Sequence, residues 1–91
     1  MEFEWDENKR AEVLKKHGVD ILDAALIFEN PVLTRLDTRR DYGEPRYISM
    51  GEVDGTVYIV VHTQRGDYTR LITAWKGGSD DRKIYEASVT R

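Results

Sequence analysis

At 91 residues the chain has room for one compact core and not for two, since a domain this small buries only about two-thirds of its unfolded surface. Charged residues at 34% beside 40% apolar residues describe a globular domain and exclude a disordered tail, and no apolar run reaches the roughly 18 residues that span a bilayer. No cysteine is present, which excludes disulfides, thiolate nucleophiles and sulfur-built zinc sites; His17 and His62 lack the spacing of a helical ligand pair, so neither metal nor cofactor is expected.

The amino terminus "MEFEWDENKR" is charged where a signal peptide would be apolar, which places the protein in the cytoplasm as an expectation. The net charge of −3 is uneven: residues 1–30 carry eight acids and four bases, and residues 31–91 nine acids and ten bases. An acidic total speaks against tight nonspecific binding to nucleic acid, while a local basic groove in the second part stays open.

In chain order, "EFEW" reads as a short strand with Phe3 and Trp5 on one side. Asp6 caps a helix from about 7 to 17, stopped by Gly18, and His17 fits there as a cation at a helix carboxyl end. Asp20 caps a second helix, 21–29, ended by Asn30 and Pro31. The period then changes from helical to alternating. "VLTRLD" is a strand, "TRRDYGEPR" a polar loop, and "RYISMGEV" and "TVYIVVHTQ" form a hairpin turning on Asp54–Gly55. "RGD" is turn chemistry around Gly66, "YTRLITAWK" runs back beside its neighbour, and "SDDRKIYEASV" opens a last helix with a serine cap and two acids. The sum is one α+β domain, 1–91, of two helices, a meander of three or four antiparallel strands and a terminal helix.

The stretch "VVHTQRGDYTRLITAWK" gathers His62, Arg65, Arg70 and Lys76. Strict alternation puts Arg70, Ile72, Ala74 and Lys76 on one face of the last strand, and Leu71, Thr73 and Trp75 on the other. With helices over one side only, Arg65, Arg70 and Lys76 are expected on or beside the open side, where Glu44 and Arg46 could reach them. A groove of Arg, Lys, His and Glu suits cleavage of RNA by its own 2′-hydroxyl. That reaction needs a base, cations for the developing phosphorane charge and an acid for the leaving oxygen. Arginines on sheet faces that merely form surface ion pairs are the competing reading.

"FEWDENKRAEVLKKHGV", "DYGEPRYISMGEVDG", "VVHTQRG" and "RLITAWK", followed by a helix bearing Tyr85, resemble in order the BrnT family of type II toxin–antitoxin toxins. The resemblance implies a RelE-like fold, ribonuclease activity that arrests translation, and a ribbon-helix-helix antitoxin that neutralises the toxin and carries the pair to operator DNA. By that resemblance Glu44, His62, Arg65, Arg70 and Tyr85 are the catalytic candidates, and Arg46, Trp75 and Lys76 the substrate-binding ones. Glu44 or His62 would serve as base, and Tyr85 would position substrate or leaving group.

Two departures lower the positive charge: Trp75 stands where the family carries a cation, and Asp80 and Asp81 occupy a segment that is usually basic. An indole can stack on a base or pack under the last helix, but it cannot neutralise an oxyanion. The alternative function is therefore a catalytically weak or inactive antitoxin-binding protein acting as corepressor of the operon.

Overall fold

The computed structural model describes residues 1–89. Glu2–Glu4 form strand β1, after which the Asp6 carboxylate accepts from the Asn8 and Lys9 amides at 2.8 and 3.2 Å and starts helix α1, Glu7–His17. Gly18 ends α1 at φ +68°, returning its N–H to the Leu14 carbonyl; this left-handed stop costs a glycine little.

Asp20 caps the following helix through the Leu22 amide and also receives Nε and Nη2 of Arg10 at 2.9 and 2.8 Å. One carboxylate thus ties α1 to the helix that follows it, and the guanidinium holds that carboxyl below its ordinary range. The expected single helix over 21–29 is corrected. Helix α2 spans only Ile21–Ala24 and passes into a 3-10 segment, Ala25–Glu29. This tighter winding brings Ile27, 0% exposed, down onto Gly51 of the sheet, where an added Cβ would stand 2.6 Å from the Ile27 Cβ. Only a residue without a side chain allows that approach.

The strands β2 (Leu33–Leu36), β3 (Tyr47–Val53), β4 (Thr56–Arg65) and β5 (Tyr68–Lys76) precede helix α3 (Ser79–Val89). Asp54 and Gly55 both take positive φ, 48° and 83°, in the turn between β3 and β4. The sheet has five strands in the order β1-β5-β4-β3-β2, and β1 pairs with β5 in parallel, Glu4 opposite Arg70. The expected RelE-like arrangement, two full N-terminal helices before a purely antiparallel sheet of three or four strands, is corrected on both counts. The reason is long-range: three residues at the amino terminus find an edge more than sixty positions away, and no local pattern signals that pairing.

Helices α1 and α2 and the 3-10 segment cover one face, packing Val13, Ile21, Ala24 and Ile27 onto Val60, Leu71 and Ala74. The second face holds a smaller cluster of Ile48, Ile59 and Val61, flanked by Met50, Ile72 and Trp75. Helix α3 stands at one end of this second face, where Arg82 Nη1 meets Glu52 at 2.8 Å and Arg82 also donates to the Gly55 carbonyl.

The expected alternation along β5 is also corrected. Val61 lies opposite Thr73 and His62 opposite Leu71, so Ile72 is an extra residue, a β-bulge. Cross-strand partners share a face. Arg70, opposite Thr63, therefore belongs to the second face, whereas Lys76, opposite Tyr58, is turned towards the helical side.

Candidate nucleic-acid interface

The loop between β2 and β3 is closed at its base by the Asp37 amide, which donates to the Arg46 carbonyl at 2.7 Å, and pinned to β4 by Thr63 Oγ1, which donates to the Pro45 carbonyl at 2.6 Å. This pinning brings Glu44, Arg46, Arg65 and Arg70 to one end of the second face. There Arg65 Nη2 lies 3.3 Å from one Glu44 oxygen and Arg46 Nε 3.5 Å from the other, while Arg70 Nη1 lies 3.7 Å from Glu4 of β1. The Arg46 guanidinium also stacks 4.1 Å above the Tyr42 ring. Each of these arginines already has a carboxylate.

His62 does not join them. It is turned to the helical face, edge-on to Phe28 at 5.1 Å and stacked on Tyr47 at 5.9 Å. Its Nε2 shares a 2.7 Å hydrogen bond with Ser49 Oγ, which shares another, also 2.7 Å, with Thr34 Oγ1. Burial pushes its pKa below the ordinary value of 6.5. Tyr85, 5% exposed, donates its hydroxyl to the Pro31 carbonyl at 2.7 Å and so anchors α3 to the segment before β2.

A different group of cations converges beside β5. Lys9, Lys16 and His17 of α1, Thr73, Trp75 and Lys76 of β5, and Arg39 of the β2–β3 loop line an open hollow of about 740 Å³. Lys9 and Lys16, seven residues apart, project from one helical stripe because seven residues make about two turns. The His17 and Trp75 rings are 6.3 Å apart at 44°.

Arg39 stands 5.9 Å from the Trp75 ring centre and is held from behind by Asp37, whose buried carboxylate accepts from Arg39 Nε and Nη2, each at 2.8 Å, and from Tyr42 Oη at 3.0 Å. The Arg39 contacts, with the Tyr42 hydroxyl, keep the Asp37 carboxyl well below the usual carboxylate range. Among the described residues no ion pair ties down Lys16 or Lys76, and Lys9 has only Glu12 of its own helix, at 3.9 Å. Two of the hollow's cations, Lys16 and Lys76, thus stand without a paired carboxylate among the described residues.

Of the sequence-predicted residues, Trp75 and Lys76 meet in the hollow. Arg65 lies six residues, about 20 Å of strand, from Ile59, the partner of Trp75, and holds Glu44 there, while Arg46 is joined to the hollow's rim through Tyr42, Asp37 and Arg39. Lys9, Lys16 and Arg39 of this hollow carry no expectation from the sequence, and His17 only that of a helix-end charge. The seven-residue lysine spacing ending beside a histidine was a usable signal; nothing in the sequence announces Arg39. Chemically the hollow offers cations for phosphate, an indole face for a base and an imidazole for proton transfer, a combination that fits a single-stranded nucleic acid.

That class narrows further by comparison. A family model described as "Ribonuclease toxin, BrnT, of type II toxin-antitoxin system" matches residues 5–79. The match runs from Trp5 to the first residue of α3, and the chain belongs to this family of toxins, which implies an RNA target and an antitoxin partner. No curated protein matches the chain. Among the described residues, no helix is long and apolar enough to cross a membrane, and no three His, Asp or Glu side chains are grouped as a metal site.

Proposed function

We propose that this chain is a metal-independent endoribonuclease that arrests translation, and that the hollow between α1, β5 and Arg39 is where it holds and cleaves RNA. The observation that carries this reading is the meeting of Lys16, His17 and Lys76 around Trp75 without a carboxylate paired to either lysine. A base stacks on the indole, and Lys16 and Lys76 grip the adjoining phosphate, while Arg39 stays with Asp37 at the rim of the hollow. His17 exchanges the proton in the step where the 2′-oxygen attacks phosphorus and the 5′-oxygen departs. The products are a 2′,3′-cyclic phosphate and a 5′-hydroxyl end.

Glu44, Arg46, Arg65 and Arg70 form a second, weaker part of the RNA path. A phosphate reaches those arginines only by displacing Glu44 or Glu4, because the carboxylates already hold them at 3.3–3.7 Å. His62 and Tyr85 act on the site through packing in this reading. The antitoxin is a ribbon-helix-helix protein through which the pair represses its own operator, as the resemblance of the sequence implies.

The test is cleavage of a defined RNA in excess EDTA. Native protein yields cyclic-phosphate ends, and His17→Ala slows the reaction by about 10²-fold or more. Native activity that EDTA abolishes, or an unchanged His17→Ala rate, contradicts the reading. The rival corepressor reading is favoured by the charge pairing of Arg46, Arg65 and Arg70. It gains if the native chain is harmless on induction and cleaves nothing, while Trp75→Arg arrests growth.

A further inference from the structure

The second sheet face carries a groove of about 480 Å³ between the sheet and α3. Leu33, Ile48, Met50, Ile59, Trp75 and Ile84 supply its apolar lining. Ile84 is 56% exposed on α3, an apolar side chain beside the apolar residues of the sheet. Two features say what fits there. Arg35, without an ion pair among the described residues, stands at the groove, and Trp75 is shared: the same indole lines the groove on one side and the cationic hollow on the other. An apolar strip is therefore bracketed by Arg35 at one rim and by Lys16 and Lys76 beyond Trp75; Asp81 also lines the groove, its carboxylate accepting from the Gly78 amide at 2.8 Å.

We propose that the antitoxin docks in this groove an amphipathic segment whose apolar side chains cover Ile59, Met50 and Ile84 and whose acidic flanks meet Arg35 and the cations past Trp75. Charge complementarity selects the occupant. A polyanion such as RNA gains from the hollow but nothing from the apolar strip, whereas an acidic–apolar–acidic segment gains from both. Neutralisation follows from the shared wall, because a segment crossing Trp75 occupies the face on which a base would stack. This last step rests on the RNA reading of the hollow; the docking itself does not.

The test uses the protein purified in complex with the product of its adjacent antitoxin gene, then separated and recombined. Ile84→Glu and Met50→Glu, both outside the hollow, are expected to weaken antitoxin binding at least tenfold and to leave RNA cleavage unchanged. Lys16→Ala is expected to weaken antitoxin binding less and to reduce cleavage. Circular dichroism and melting of each variant confirm folding before binding is read. Native-like antitoxin affinity in both groove variants overturns the proposal, as does sedimentation showing that the free protein dimerises and that Ile84→Glu makes it monomeric. If Lys16→Ala cleaves normally while the groove variants lose the antitoxin, docking stands and the RNA assignment of the hollow falls.

Discussion

The Arg39 guanidinium that faces the Trp75 ring at 5.9 Å is the same group that Asp37 grips from behind through two 2.8 Å hydrogen bonds. The cation over the indole is therefore positioned by a buried carboxylate in its own loop, not by the sheet. Asp37→Asn removes the charge that orients Arg39 while keeping the side chain's size. If Arg39 in this position helps to orient the indole for a base, the variant is expected to bind a short single-stranded RNA more weakly by up to about fivefold, the equivalent of about 1 kcal/mol. Fluorescence anisotropy against a labelled oligonucleotide measures this; unchanged affinity would mean Arg39 takes no part.

Lys16 and Lys76 carry charge that no described acid neutralises, whereas Arg65 shares Glu44 with Arg46. Phosphate contacts release counterions, so each lysine that touches RNA contributes about 0.7 to the slope of log affinity against log salt for a single strand. Lys16→Ala and Lys76→Ala are each expected to flatten that slope by about this amount, and Arg65→Ala by clearly less. A larger effect from Arg65→Ala would move the RNA path to the other end of the sheet.

Tyr85 was a catalytic candidate in the sequence, yet its hydroxyl is spent on the Pro31 carbonyl at 2.7 Å. Tyr85→Phe is expected to lower stability by about 0.5–1.5 kcal/mol, the net value of one such bond, in a urea titration. Cleavage by the folded variant should match the native rate. A large fall in turnover with native stability would restore the hydroxyl to the chemistry.

His62 gives the fold a pH dependence. Its folded pKa lies below the ordinary 6.5, so the unfolded chain binds the proton more readily. The corresponding stability is present above about 6.5 and is lost as pH falls through that value towards the depressed folded one. Asp20 and Asp37, both held below 3.8, lose their contributions only at lower pH. The urea midpoint is expected to fall between pH 7 and pH 5 in the native protein and to fall less in His62→Gln.

The helix caps Asp6 and Asp20, the Gly18 stop and the Asp54–Gly55 turn could be read from the sequence because each is a local rule obeyed locally. The parallel pairing of β1 with β5 could not, since Glu2–Glu4 hold no information about which distant edge they meet. One physical difference separates the expected faces of β5 from the observed ones. A period of two assumes an unbroken ladder, and the extra residue Ile72 reverses the faces between Arg70 and Lys76. Trp75 and Lys76 stayed in the candidate site, but their company changed from Arg70 and His62 to Lys16 and His17. Arg39 joined through a loop whose course is set by Asp37 and Thr63, contacts with no sequence signature.

The most direct measurement of where RNA sits is amide and indole chemical-shift mapping with an oligonucleotide 2′-O-methylated to prevent cleavage. The expected result is a continuous set of perturbations at Lys9, Lys16, His17, Arg39, Thr73, Lys76 and the Trp75 indole, with small changes at Glu44, Arg65 and Arg70. Perturbations centred on Glu44, Arg65 and Arg70, with the Trp75 indole unmoved, would contradict it.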